Sequence, residues 1–125
     1  MKKVLIVDDE RDFCFLIKDN LEITGKYKVI IATDGKNGIR AAMDHKPDLI
    51  LLDIIMPVMD GFEVLKRLKE EEKTQSIPVI MLTAKTDDDS KTRAASLYNE
   101  DYIVKPVGMA ELRAKIAKVL SKTSS

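Results

Sequence analysis

The sequence predicts an α/β fold: five parallel strands in the order 2-1-3-4-5, doubly wound, with helices on both faces. Three observations carry this. Aliphatic runs of strand length alternate five times with segments of helical spacing, without repeats or an internal linker. Three of those runs, 4–7, 49–52 and 79–82, are uninterrupted, as strands buried on both faces are. The other two, around Val29 and Ile103, are mixed and suit edges. Right-handed βαβ connections between them place strands 1 and 3 side by side at the switch point.

A chain of 125 residues fits one domain, 1–125, with a real core. Its 21 basic and 21 acidic side chains cancel, which gives no general reason to expect nucleic-acid or membrane-surface binding. No apolar run approaches bilayer length, and the four aliphatic residues after Met1-Lys2-Lys3 are too few for a signal peptide. The single cysteine, Cys14, cannot form an internal disulfide, which suits a reducing cytoplasm.

Taken in order, Val4 to Val7 runs into Asp8-Asp9-Glu10 and a helix follows at once. Asp9 or Glu10 suits its first turn, where negative charge meets the positive end of the helix dipole. Phe13, Leu16, Ile17, Leu21 and Thr24 mark its apolar face, and Gly25 its end. Phe15 falls off that face and is the better candidate for docking a partner. Tyr27 to Ala32 is a strand interrupted by Lys28. Asp34-Gly35 leads into a short helix carrying Ile39, Ala42 and Met43, in which Gly38 is a weakness of about 1 kcal/mol relative to Ala. His45-Lys46-Pro47 ends it, with His45 exposed. Leu49 to Leu52 then runs into Asp53 and, beyond it, Met56-Pro57. Met59-Asp60-Gly61 is a turn. Phe62, Leu65 and Leu68 follow at helical spacing up to Lys69-Glu70-Glu71-Glu72-Lys73, expected as a solvated helix end. Pro78 opens the fourth strand, where a strand tolerates it. Asp87-Asp88-Asp89 caps a helix to about Leu97. Asp101 to Val104 is the fifth strand, ended by Lys105-Pro106. A last helix carries Met109, Leu112, Ile116, Val119 and Leu120, and Ser121 to Ser125 reads as a frayed tail.

In an open α/β sheet, ligands collect at the carboxyl ends of the strands. Asp8, Asp9 and Asp53 converge there, and Thr83 and Lys105 end the fourth and fifth strands at the same rim. Three carboxylates so close persist only if some protonate or a cation joins them. The donors are hard oxygens without His or Cys, which favours Mg²⁺ or Mn²⁺ over zinc. A carboxylate in that position can attack phosphorus and form an acyl phosphate, with the cation offsetting the charge on the phosphoryl oxygens. Lys105 can pair with one phosphoryl oxygen and the Thr83 hydroxyl can donate to another. Singly, each residue has an ordinary reading: a helix cap for Asp8-Asp9, a turn for Asp53, a strand end for Thr83, a solvated lysine for Lys105. Their joint placement favours the chemical one.

Five motifs then stand in order: Val4-Leu5-Ile6-Val7-Asp8-Asp9-Glu10; Pro47-Asp48 with Leu51-Leu52-Asp53; Met56-Pro57 with Met59-Asp60-Gly61; Pro78-Val79-Ile80-Met81-Leu82-Thr83-Ala84; and Asp101-Tyr102-Ile103-Val104-Lys105-Pro106. With them the chain resembles, over essentially its whole length, the receiver domain of two-component response regulators, of the chemotaxis-regulator type with a flavodoxin-like fold. The resemblance implies that Asp53 accepts a phosphoryl group from the phosphohistidine of a sensor histidine kinase or a histidine phosphotransfer protein. It implies that Asp9, Asp53 and the Ile55 carbonyl ligate Mg²⁺ directly, with Asp8 acting mainly through water. Thr83 and Lys105 would contact the phosphoryl group. Tyr102 would be the switch aromatic that turns inward when Thr83 moves, and the Lys105-Pro106 peptide would be cis. The expectation is a cytoplasmic signalling switch and not a turnover enzyme. It would act on a downstream protein or an output domain, as a monomer or a phosphorylation-dependent dimer, without contacting nucleic acid or membrane.

The chain departs from the family pattern at Tyr98-Asn99, where Gly-Ala is usual, and at Val107, where phenylalanine is frequent. Asn99 can take the left-handed cap with a shift of one residue. Ile55 and Lys85, two residues past Asp53 and Thr83, are not obvious water-activating groups, so slow self-hydrolysis of the phosphoryl group is expected. Three other readings share parts of the pattern. A haloacid-dehalogenase-type phosphohydrolase wants a second aspartate where Ile55 stands. A flavin carrier wants a hydroxyl- and glycine-rich loop where Asp8-Asp9-Glu10-Arg11-Asp12 stands. An unphosphorylated receiver-like interaction module tends to lack an acidic, Thr or Lys position, and this chain lacks none.

Overall fold

The computed structural model describes residues 1–84 and 100–123. Strands β1 (Lys2–Val7), β2 (Tyr27–Ala32), β3 (Leu49–Asp53), β4 (Val79–Ala84) and β5 (Asp101–Lys105) form one parallel sheet in the order β2-β1-β3-β4-β5. The helices are α1 (Arg11–Glu22), α2 (Gly35–His45), α3 (Gly61–Glu70) and α4 (Met109–Thr123). The predicted order holds, with the three aliphatic strands central and the two mixed strands at the edges. No described helix is long and apolar enough to cross a membrane.

The two-residue period of the strands divides the core into two layers. Val4, Ile6, Leu49, Leu51, Ile80, Leu82 and Ile103 pack with residues of α1 and α4. Their alternates Leu5, Val7, Ile50, Leu52, Val79 and Met81 pack with residues of α2 and α3. Fully aliphatic strands are what such a sheet requires, because either face left polar would be buried without partners.

Some local expectations are corrected. On α1 the buried stripe is Cys14, Ile17 and Leu21, while Leu16 is 50% exposed. The spacing 14-17-21 follows the helical repeat and leaves position 16 turned well away from that stripe. The Cys14 thiol donates to the Asp8 carbonyl at 3.3 Å. Burial, with the Asp8 charge, pushes that thiol up to about 12, so it stays protonated and unreactive. Lys69 is not simply solvated. Its ammonium turns back to the carbonyls of Gln75 (3.1 Å) and Ile77 (2.9 Å), closing the loop after α3, and burial lowers its pKa. Ser121 to Thr123 continue α4 instead of fraying. The expected helix from Asp87 to about Leu97, the Tyr98-Asn99 cap, Lys85 and the tail at Ser124 and Ser125 lie outside the described residues.

Gly38 has a packing role that its helix propensity hides. A Cβ there would stand 2.7 Å from Cγ1 of buried Val7, so α2 approaches β1 more closely than alanine permits. Val58, in the loop after β3, has φ 70 although β-branched, and its side chain is fully exposed. Nothing gained by packing offsets the left-handed backbone. Val58→Gly is expected to raise stability by about 1 kcal/mol, the relief of a roughly 1–2 kcal/mol left-handed cost less the added freedom of the unfolded glycine chain. A higher urea midpoint at unchanged slope is the expected result; an unchanged or lower midpoint would refute it.

Candidate functional site

The strand period builds the site. Asp8 and Asp53 continue the alternation of Val4-Ile6 and Leu49-Leu51, and Lys105 that of Ile103, so all three belong to the α1/α4 side. Val7 pairs with Leu52, so Asp8 and Asp53 end neighbouring strands. Leu82 pairs with both Asp53 and Ile103, so Lys105, two residues further on, reaches back across β4. One carboxylate oxygen each from Asp8, Asp9 and Asp53 lies within 4.8 Å of the others. Asp8 is fully buried, Asp53 is 7% exposed and Asp9 is exposed.

The Lys105 ammonium holds this cluster together. It is 2.9 Å from Asp8 Oδ2, 3.0 Å from Glu10 Oε1 and 3.6 Å from Asp53 Oδ1. It also stands 4.7 Å from the centre of the Phe13 ring, a cation–π contact. Burial disfavours the charged ammonium, but hydrogen bonds to Asp8 and Glu10 and the Asp53 and Asp8 charges outweigh it, so its pKa is raised. Burial and the neighbouring Asp8 charge push the Asp53 carboxyl up to about 7; Lys105 and a hydrogen bond from the Ile55 backbone oppose that rise, and Asp9 adds to it. Asp8 is held from both sides, its Oδ1 accepting from the Glu10 backbone N–H at 2.9 Å and its Oδ2 from Lys105.

The donor set fits a small hard cation. Around Mg²⁺, with ligands at 2.0–2.1 Å, adjacent oxygens stand about 2.9 Å apart and opposite ones about 4.2 Å. The three carboxylate oxygens lie within 4.8 Å of one another, close to that span, and Asp9 is at the exposed edge of the group.

The remaining predicted residues are placed as follows. Thr83 is buried near the end of β4, one position beyond the register partner of Asp53, and its hydroxyl donates to the Ala84 carbonyl at 3.3 Å. Tyr102 is 37% exposed on β5, with the Lys115 ammonium 5.9 Å from its ring centre and donating to its carbonyl at 3.2 Å. Ile55 exposes its side chain. The Lys105-Pro106 peptide is cis.

Three participants escaped the sequence reading. Neither Asp9 nor Glu10 lies in the first turn of α1; Asp12 does, and Glu10 is the N-cap residue but makes no side-chain cap. Its carboxylate goes to Lys105 instead. Phe13 lies beneath the ammonium. Gly61 opens α3 with its N–H donated to the Ile54 carbonyl at 2.7 Å, and a Cβ there would collide with the Asp53 carbonyl oxygen. The Asp60 side chain, read as part of a turn, caps α3 by accepting from the Glu63 N–H at 3.0 Å.

The chain is similar to known proteins in sequence and in fold. Residues 4–117 match the response regulator receiver domain family. The alkaline phosphatase synthesis transcriptional regulatory protein PhoP of Bacillus subtilis is 39% identical over 122 residues, 98% of this chain and 50% of that protein. The chain thus spans about half the length of the curated relatives it matches. A two-component response regulator from Clostridium difficile superposes with TM-score 0.91 at 29% identity, covering 100% of both chains. The receiver domain of a sensor histidine kinase of Pseudomonas aeruginosa, solved with a magnesium ion coordinated in its active-site cleft, gives TM-score 0.87 at 28% identity, covering 96% of this chain and 98% of that one. Sequence, fold and acidic rim lead to one conclusion: the chain belongs to the response regulator receiver domain family.

Proposed function

We propose that this receiver domain is a phosphorylatable switch in which Asp53 accepts a phosphoryl group in a Mg²⁺-dependent reaction. The observation that carries the reading is the meeting of Asp8, Asp9 and Asp53 with the Lys105 ammonium at the carboxyl ends of β1, β3 and β5. Asp9, Asp53 and the Ile55 carbonyl would hold the cation, with Asp8 acting mainly through water, and the cation when bound offsets the negative charge of the phosphoryl oxygens. Asp53 is the acceptor because it ends the central strand, and the Ile55 backbone donates to its carboxylate. Lys105 steadies the incoming anion, and the Thr83 hydroxyl, which now donates to the Ala84 carbonyl, would exchange that partner for a phosphoryl oxygen.

The donor is the phosphohistidine of a sensor histidine kinase or a histidine phosphotransfer protein. The output is a change in affinity for a downstream protein or an attached output domain, not turnover of a substrate. Thr83 and Tyr102 transmit it: Tyr102, now 37% exposed beside Lys115, would move inward once Thr83 turns to the phosphoryl group. Acetyl phosphate with magnesium is expected to add one phosphoryl mass to the intact protein, and chelation of the metal to prevent it. No added mass at saturating magnesium would overturn the reading.

A further inference from the structure

We infer that Glu10 is a positioning residue that competes with the phosphoryl group for the Lys105 ammonium, an inference that rests on the reading of Asp53 as acceptor. An ammonium has three N–H donors. Two are engaged at hydrogen-bond distance, by Asp8 at 2.9 Å and by Glu10 at 3.0 Å. Asp53, at 3.6 Å, is too far for a hydrogen bond. The lysine is therefore drawn toward α1 and held back from the acceptor.

The two engaged partners differ in how easily they let go. Asp8 is fully buried and has no water to replace a lost donor, so releasing it leaves a carboxylate oxygen unpaired in the interior. The Glu10 side chain is 65% exposed, and water replaces Lys105 there at small cost. Glu10 is also not needed to cap α1, since it makes no side-chain cap. A phosphoryl oxygen arriving on Asp53 has to draw the ammonium, with its third N–H, away from α1, and the partner that gives way is Glu10, while Asp8 keeps its own. Glu10 raises the threshold for the loaded state without touching the phosphoryl group.

The test separates binding of the anion from binding of the metal. In Glu10→Ala, beryllofluoride, a stable mimic of the phosphoryl group, is expected to bind about three-fold more tightly at saturating magnesium, the equilibrium counterpart of one exposed ion pair. Magnesium affinity in the absence of beryllofluoride should weaken no more than about two-fold, the charge lost being outside the three ligands. Glu10→Gln, which keeps the length and loses the charge, should fall between Ala and wild type. In a Lys105→Ala background, Glu10→Ala should no longer change beryllofluoride affinity, because the two residues act as one unit. Equal beryllofluoride affinity in wild type and Glu10→Ala overturns the inference. So does a parallel loss of affinity for both ligands, which would mark a merely structural role. Wild-type protein that takes up no beryllofluoride at all would overturn the acceptor reading and this inference with it.

Discussion

Asp53→Asn is expected to lose all phosphoryl uptake from acetyl phosphate and, in the same step, to make the metal-free protein more stable at neutral pH. The first effect follows from removing the only nucleophilic oxygen placed at the end of β3. The second follows from burial. With its carboxyl pushed up to about 7 beside Asp8, the folded protein binds a proton at Asp53 between about pH 4 and pH 7 that the unfolded chain has released. Stability therefore falls as the pH rises through that window, and the loss is complete above it. From a usual value of 3.8 to about 7, the difference is on the order of 4 kcal/mol. Asparagine keeps the shape and removes the charge. Urea titrations without metal should show wild type and Asp53→Asn nearly alike at pH 4 and diverging as the pH is raised to 8, the variant being the more stable. Full labelling of the variant, or a difference in stability that does not change with pH, would contradict this account.

Gly61→Ala is the second large effect, and its sign runs against helix propensity, which favours alanine at the start of α3. The added Cβ collides with the Asp53 carbonyl oxygen and lies 2.7 Å from the Ile54 Cα. These are backbone atoms at the end of a central strand, and they cannot swing aside as a flexible side chain can. The expected loss is about 3 kcal/mol, at the upper end of overpacking costs. Because the displaced atoms belong to Asp53 itself, phosphoryl uptake should slow by roughly ten- to a hundred-fold as the acceptor is misplaced. Urea denaturation and the rate of mass gain check the two parts. A variant as stable as wild type would show that α3 can shift without dragging the strand.

The fold was legible because each central strand is an unbroken aliphatic run, and such a run fits only a sheet covered on both faces. The carboxylate trio was legible because acidic residues follow those runs directly, and strand pairing brings the ends together. What was not legible depends on partners remote in sequence. Glu10 reads as a helix-start charge, yet its partner Lys105 is 95 residues away. Lys69 sits in a run of charges, and its long stem lets the ammonium reach carbonyls across a loop. Leu16 was assigned to the buried face of α1 and Cys14 was not, whereas the helix buries Cys14 with Ile17 and Leu21 and leaves Leu16 half exposed. Gly61 looked like a turn former; the need for it comes from Asp53 packed against it.

Asp8, Asp53 and Lys105 hang from three strands held in step by backbone pairing and by the aliphatic layers on either face. A slip of a single residue between any two of them would throw one side chain to the opposite surface and break up the trio of charges. The chemistry thus proofreads the assembly of the sheet: a misaligned chain, however compact, would present neither the acidic rim nor the lysine beside it.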